Sequence, residues 1–264
     1  QLLATARRER PRQPSFLAGN LLNLLLHLGF DLQGYDFSNL CVWQAYLQGA
    51  TLREVNFSNT DLAQSTFTDT FAAVYSLAYS PDGALLAAGT ANGGIRLWQL
   101  PQGEPWAAIQ DPAGTIYSIA FSPDGSHLAS AGGDEHVRVW DVATQQLVAT
   151  LDGPTNLIWS VAISPDGQWL AAGDFDGYVN VWQVATQQLV HRWPGHTAWV
   201  RKVLFTPDSR HVISASRDGK VNLWAVTTGE LQQTWRAHEA WVISADVSAD
   251  GKLLATGSSD YTVR

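Results

Sequence analysis

The stretch IYSIAFSPDGSHLASAGGDEHVRVW, Ile116–Trp140, holds the plan of most of the chain. It opens on a short apolar run, turns through Ser122-Pro123-Asp124-Gly125, and returns through His127–Ala131. Proline fixes φ in that turn and glycine accepts a positive φ, so the tetrapeptide specifies a tight reversal between two strands. A hairpin at Asp134 then leads to a third strand closing in Trp140, and Gln146–Thr150 reads as a fourth. The turn recurs 42 residues away on either side, at Ser80 and Ser164, and in degenerate form at Thr206 and Ser248. Trp98, Trp140, Trp182 and Trp224 keep the same interval, and Val142 and Val184 both begin the string VATQQLV, a mark of internal duplication. Four short strands with turn signals between them make one antiparallel sheet per unit. A period near 40 makes the whole a repeat array of such sheets.

The turn, the Trp-ended strand and the period together resemble the WD-repeat family. That resemblance implies an all-β fold, a WD-repeat β-propeller over residues 70–264 with four blades and a partial fifth, cut short at the C-terminus. It also implies a polar quartet within each blade: a His before the first strand, a Ser or Thr on the second, an Asp in the next turn, and the Trp. The fourth blade matches with His196, Ser216, Asp218 and Trp224, and the fifth supplies His238, Ser258 and Asp260. Such a Ser, His and Asp could be mistaken for a nucleophile triad. The repetition argues instead for a buried hydrogen-bond chain that is structural, with the Trp indole N–H finding its acceptor inside the blade. The first three blades depart from the pattern, with Thr70, Pro112 and Pro154 at the His position. They are therefore expected to rely more on apolar packing.

Two segments precede the array. Residues 1–29 read as a basic leader followed by an amphipathic helix, with Ser15 as its cap, Gly29 as its stop, and leucines at 17, 21, 24, 25 and 28 on one face. Asn20, Asn23 and His27 break the leucine run, which argues against a signal peptide or a membrane span. Residues 30–69 have a period of five, with Leu32, Phe37, Val42, Leu47, Leu52, Phe57, Leu62 and Phe67 in one row. Polar Asp31, Asp36, Asn56 and Asp61 stand just before members of the row, and the pattern resembles the pentapeptide-repeat family. That resemblance implies a right-handed, four-sided β-helix whose Leu/Phe row points inward. The family prefers a small residue two places before the row; Phe30, Tyr35 and Leu40 depart from this, whereas Ala45 and Ala50 conform.

Composition narrows the function. The 264 residues carry a net charge of −8, with 45% hydrophobic and 15% charged residues, so a core forms and nucleic acid is a poor partner. One cysteine, Cys41, excludes an internal disulfide framework, and a cytoplasmic location is expected. No catalytic, cofactor-binding or metal residues are assigned; the histidines at 127, 136, 191 and 211 lack ligand spacing. The absence of methionine and a chain end inside the fifth unit read as a piece of a longer protein.

In WD-repeat proteins function sits on the rim of the central channel. Carried over by register, the rim positions beginning the first strand are Tyr75, Tyr117, Trp159, Arg201 and Ile243, with Trp199 and Trp241 two residues ahead of the last two. Phe175 and Arg217 precede the hairpin Asp. Trp159, Phe175, Trp199, Arg201, Arg217 and Trp241 are the candidate interaction face, being types enriched in binding hot spots. The order helix, pentapeptide repeats, propeller resembles bacterial, often cyanobacterial, regulators that carry an NB-ARC-type signalling ATPase upstream. The function implied is a non-catalytic protein-interaction scaffold, the sensor or docking region of a signal-transduction protein. Its partners would be proteins, including that ATPase domain of the same polypeptide, and neither nucleic acid nor membrane. No GxxxxGK[ST] phosphate loop occurs here. The rival readings are a stand-alone scaffold and an enzyme using the propeller's central pocket.

Overall fold

The computed structural model describes residues 16–47, 50, 52–65 and 72–264. The chain divides into two compact units, 1–71 and 72–264.

The larger unit is all β. Strands β1 (Val74–Tyr79), β2 (Leu85–Thr90), β3 (Gly94–Gln99) and β4 (Glu104–Gln110) form an antiparallel sheet in chain order. The same meander recurs in β5–β8, from Ile116 to Leu151, in β9–β12, from Ile158 to Pro194, and in β13 (Val200–Phe205), β14 (His211–Ser216), β15 (Lys220–Ala225) and β16 (Leu231–Arg236). Two strands, β17 (Val242–Val247) and β18 (Leu254–Ser258), make the fifth sheet. Each SPDG turn is built from its own side chains. Gly83 donates its N–H to the Ser80 carbonyl at 2.9 Å, and the Ser80 hydroxyl donates to Asp82 at 2.6 Å. The Ser80 Oγ in turn accepts the Leu85 N–H at 2.8 Å. Gly83, Gly125 and Gly167 all lie near φ +70°, the left-handed region where glycine carries no Cβ penalty.

Successive sheets pack face to face through the third-strand tryptophans. Ile95 and Leu97 of the first sheet meet Ile116, Leu128 and Trp140 of the second. Trp182 of the third is fully buried against Val137, Leu151 and Ile158. The first strands of neighbouring sheets lie side by side. A serine relay joins them: the hydroxyl oxygens of Ser76, Ser118 and Ser160 accept the N–H of Ile119, Val161 and Val203 in the following sheet, at 3.0–3.1 Å.

In the smaller unit, helix α1 spans Leu17–His27. Its N-cap is Phe16 with no side-chain hydrogen bond, and Ser15, the expected cap, lies outside the described residues. The C-terminal stop is where the sequence places it. Gly29 adopts φ +71°, and Gly29 and Phe30 donate to the Leu26 and Leu25 carbonyls, a Schellman motif. The five-residue row is the core. Leu32, Phe37, Val42 and Leu47 are buried, and Leu52, Phe57 and Leu62 pack against them, while Phe67 lies outside the described residues. Residues 20 apart pair in parallel, Asp36 with Asn56 and Cys41 with Asp61, which is four units of five. Positive φ recurs every fifth residue, at Gly34, Asn39, Gln44, Glu54, Asn59 and Gln64. Each follows the row by two, and Tyr35, Val55, Thr60 and Ser65 donate back to the row residue three earlier, giving a turn that needs φ > 0 at its third position. Of the residues that depart from the family pattern, Leu40 enters the core and Phe30 stays exposed. Helix α1 covers this core with Ala18 and Leu22, and Gly19 passes the Trp43 carbonyl so closely that a Cβ would stand 1.9 Å from it.

Candidate functional site: the aromatic and arginine rim

The rim residues are set by a bulge repeated in every first strand. In β1, Val74 faces Thr90 and Ser76 faces Gly89, so Tyr75 has no partner in the ladder. The same shift frees Tyr117, Trp159, Arg201 and Ile243. A bulge leaves one residue unpaired and re-aims its side chain. The position after the second strand is clamped beside it. Phe175 donates its N–H to the Leu157 carbonyl at 3.0 Å, and Arg217 to the Trp199 carbonyl at 3.0 Å.

All six residues of the candidate face form one contact cluster. Trp159 lies 5.5 Å from Phe175 and 6.2 Å from Trp199, and Phe175 lies 4.1 Å from Trp199, between ring centroids. The Arg201 guanidinium stacks 3.8 Å over Trp159. The Arg217 guanidinium sits 3.7 Å over Trp199 and 4.3 Å over Trp241, reaching the fifth sheet. Tyr117 stacks on Trp159 at 4.5 Å and Tyr75 meets Tyr117 edge-to-face at 5.4 Å, so the ribbon runs over all five sheets. Tyr75 and Trp241 at its ends are each 51% exposed, while the residues between are half-buried. Among the described residues, neither Arg201 nor Arg217 has a carboxylate partner, and the buried Nε of Arg217 has no hydrogen bond. Burial, with the neighbouring Arg217 charge, lowers the Arg201 pKa to about 10, and burial lowers that of Arg217 as well.

Beneath the rim lies the polar chain, and there the serine assignment needs correction. Trp224 Nε1–H donates to Ser214 Oγ at 2.9 Å, not to Ser216. Ser214 meets His196 Nε2 at 2.8 Å, and His196 Nδ1 meets Asp218 at 3.1 Å. Since the Ser214 oxygen already accepts from the indole, its proton goes to Nε2, and Nδ1–H donates to Asp218. Trp224 pairs across the ladder with Val212, so its indole reaches diagonally to Ser214 and falls short of Ser216. Ser216 instead donates to the Ala198 carbonyl at 3.0 Å and accepts the Asp218 N–H. The fifth sheet repeats the correction: His238 bonds Thr256 at 2.9 Å and Asp260 at 3.1 Å, whereas Ser258 accepts the Asp260 N–H. Burial raises the Asp218 pKa, but the hydrogen bonds it accepts from His196, Lys220 N and Thr197 N outweigh it and hold the carboxyl at about 2.

The second sheet has a polar chain that the sequence reading missed. Buried Asp111, one residue before Pro112, accepts from Ser130, which accepts Trp140 Nε1–H at 2.8 Å. Arg138 pairs with Asp111 at 3.1 Å and with Asp134 at 2.6 Å. Burial works against the Arg138 charge, yet the two carboxylates raise its pKa above the usual value. This blade is therefore not held by apolar packing alone. In the third sheet, where Ala172 stands at the serine position, Trp182 Nε1–H donates to the Asp152 carbonyl at 3.0 Å. Asp174 there is fully buried and accepts from Asp176 N, Tyr178 N and Asn180 Nδ2; burial pushes its pKa up against those bonds.

Among the described residues, no group of three or more His, Cys, Asp or Glu is placed to hold a metal, and no helix is long and apolar enough to cross a membrane.

Comparison with known families agrees with this architecture. Residues 115–264 match the family described as IFT122 first beta-propeller, residues 63–99 match the WD domain, G-beta repeat, and residues 31–69 match pentapeptide repeats in eight copies. The chain belongs to the IFT122 first beta-propeller family of WD-repeat propellers. It is 45% identical over 103 residues to the uncharacterized WD repeat-containing protein alr2800 of Nostoc sp., and 33% identical over 105 residues to the uncharacterized WD repeat-containing protein alr3466 of the same organism. Each match takes in 39% of this chain but spans only 8% and 7% of those two relatives.

Proposed function

We propose that this propeller is a non-catalytic protein-interaction scaffold, the sensing or docking region of a larger signal-transduction protein. WD-repeat propellers generally act as protein scaffolds, and the rim supplies a reason for that role here. The observation that carries the reading is the connected cluster of Trp159, Phe175, Trp199, Arg201, Arg217 and Trp241. Trp, Tyr and Arg dominate binding hot spots. Rings already packed against one another lose little side-chain freedom when a partner lands on them. The His196–Ser214 pair is buried beneath this surface, its hydroxyl committed to His196 and the Trp224 indole, which fits a structural role.

The finer reading extends to the other segments. Residues 30–69 would wind as a four-sided β-helix, consistent with their parallel pairing at an offset of 20. The partners would be cytoplasmic proteins, among them an NB-ARC-type ATPase domain of the same polypeptide, as in the bacterial regulators that share this domain order. The test is site-directed photo-crosslinking in the intact protein, with benzoylphenylalanine at Trp241 on the rim or at Ala249 in the turn at the other end of β17. Protein adducts concentrated at position 241 support the reading. Equal labelling from both positions refutes it.

A further inference from the structure

We infer that Arg201 and Arg217 form a receptor for carboxylate side chains, so that the rim captures an acidic segment of its protein partner. This rests on the rim being the docking surface and specifies what docks there.

The argument begins with what the two arginines lack. In a chain of net charge −8, two guanidiniums stand close enough for one to depress the pKa of the other, and neither has a carboxylate partner among the described residues. Two other charged groups of the propeller are paired. Arg138 holds two aspartates, and Asp218 takes His196 together with the N–H groups of Thr197 and Lys220. Each rim guanidinium lies over an indole, at 3.8 Å and 3.7 Å, Arg217 over Trp241 as well at 4.3 Å, which fixes its plane; Arg217 Nε is buried, so the terminal N–H donors are the ones left for a ligand. A planar fork held in this way matches a carboxylate in two parallel hydrogen bonds. Stacking also excludes a cationic ligand: the aromatic faces that would attract an ammonium are covered by arginine. Nucleic acid fits less well, because indole faces covered by arginine cannot take up bases and the net charge repels a polyanion. Trp241, half exposed at the edge of the pair, offers an apolar contact beside the two cations. The preferred segment therefore carries glutamate or aspartate next to an aromatic or aliphatic residue.

The experiment uses the full chain and fluorescence anisotropy with four labelled probes: a peptide alternating glutamate with phenylalanine and leucine, the same peptide with glutamine for glutamate, the same with lysine, and a single-stranded oligonucleotide of equal charge. The glutamate peptide is expected to bind at least tenfold tighter than the glutamine peptide. That preference should vanish in Arg201→Gln/Arg217→Gln and survive in part in Arg201→Lys/Arg217→Lys, which keeps charge and loses the fork. Urea midpoints matching the unsubstituted protein would show that both variants fold; if the glutamine pair does not fold, the lysine pair alone decides, by a reduced preference. Equal binding of the glutamate and glutamine peptides, both lost in Trp241→Ala, would overturn the carboxylate receptor and leave the docking surface standing. Tighter binding of the lysine peptide or the oligonucleotide, or no binding of the glutamate peptide at millimolar concentration, would also overturn it.

Discussion

Ser214→Ala and Ser216→Ala delete the same atom, two residues apart on one strand, yet the structure assigns them different costs. Ser214 is fully buried and links Trp224 Nε1 at 2.9 Å with His196 Nε2 at 2.8 Å, both in buried side chains. Its loss removes two hydrogen bonds and leaves an indole donor and an imidazole acceptor unmatched, and the space vacated by one hydroxyl is too small for a water. A net bond contributes about 1 kcal/mol and an orphaned buried group costs about 1–3 kcal/mol, so we expect about 3 kcal/mol in all. Ser216 is just as buried, but the residues whose backbone groups it bonds, Ala198 and Asp218, are partly exposed, so solvent can reach those groups from outside and the cost should be about 1 kcal/mol. Urea unfolding at constant slope measures both, and the Ser214 variant should also melt roughly 6–12 °C lower. In a Trp224→Phe background, Ser214→Ala should lose about 1 kcal/mol of its effect, since the indole donor is already gone. A larger cost for Ser216→Ala, or one below about 1 kcal/mol for Ser214→Ala, would refute the assignment.

Three further outcomes follow from the same contacts. The Asp218 carboxyl titrates near 2 in the fold against an ordinary 3.8, so its stabilisation is complete above the higher value and lost as pH falls through the lower. That amounts to about 2 kcal/mol at 1.36 kcal/mol per pKa unit, and Asp218→Asn should flatten the acid-unfolding curve between those two values. Arg138→Met strands buried Asp111 beside Asp134 and should cost roughly 3–5 kcal/mol by thermal or urea unfolding, because it removes one partner of a buried ion pair. Gly173→Ala places a Cβ 2.4 Å from Val200 Cγ1 and should cost about 1–3 kcal/mol by overpacking. Gly257→Ala, at the same register in the fifth sheet with nothing within 4 Å, should leave the urea midpoint unchanged.

Local chemistry made much of the fold readable. The SPDG turns close on their own side chains, the Schellman stop at Gly29 needs only its own helix, and the five-residue row specifies its core directly. Readings failed where the answer lies across strands. Ser214 and Ser216 have the same parity and so face the same side of β14, and spacing cannot tell which one the indole reaches; the ladder register decides it. Asp111 escaped notice because the register placed Pro112 at the histidine position. The useful signal was a Ser130 and Trp140 pair with no histidine, beside an arginine, Arg138, in mid-strand. The rim residues were found through their shared register, but their mutual contact was not legible, since Phe175 and Trp199 come from different sheets.

The corrected place of Ser216 gives it a task of its own. Its hydroxyl bonds Ala198 O, its neighbour Arg217 donates its N–H to Trp199 O, and Asp218 holds Thr197 N. These three bonds tie the end of β14 to the segment leading into β13, and they flank the Arg217–Trp199 stack on both sides. Ser216 is therefore a positioning residue for the rim, while Ser214 secures the blade. The protons of Arg217 stacked between Trp199 and Trp241 should show upfield ring-current shifts. Ser216→Ala should move those shifts toward solvent values with only a small loss of stability. Arg217 shifts unchanged in Ser216→Ala would show that the backbone bond to Trp199 suffices to hold the stack, and the positioning role would fall.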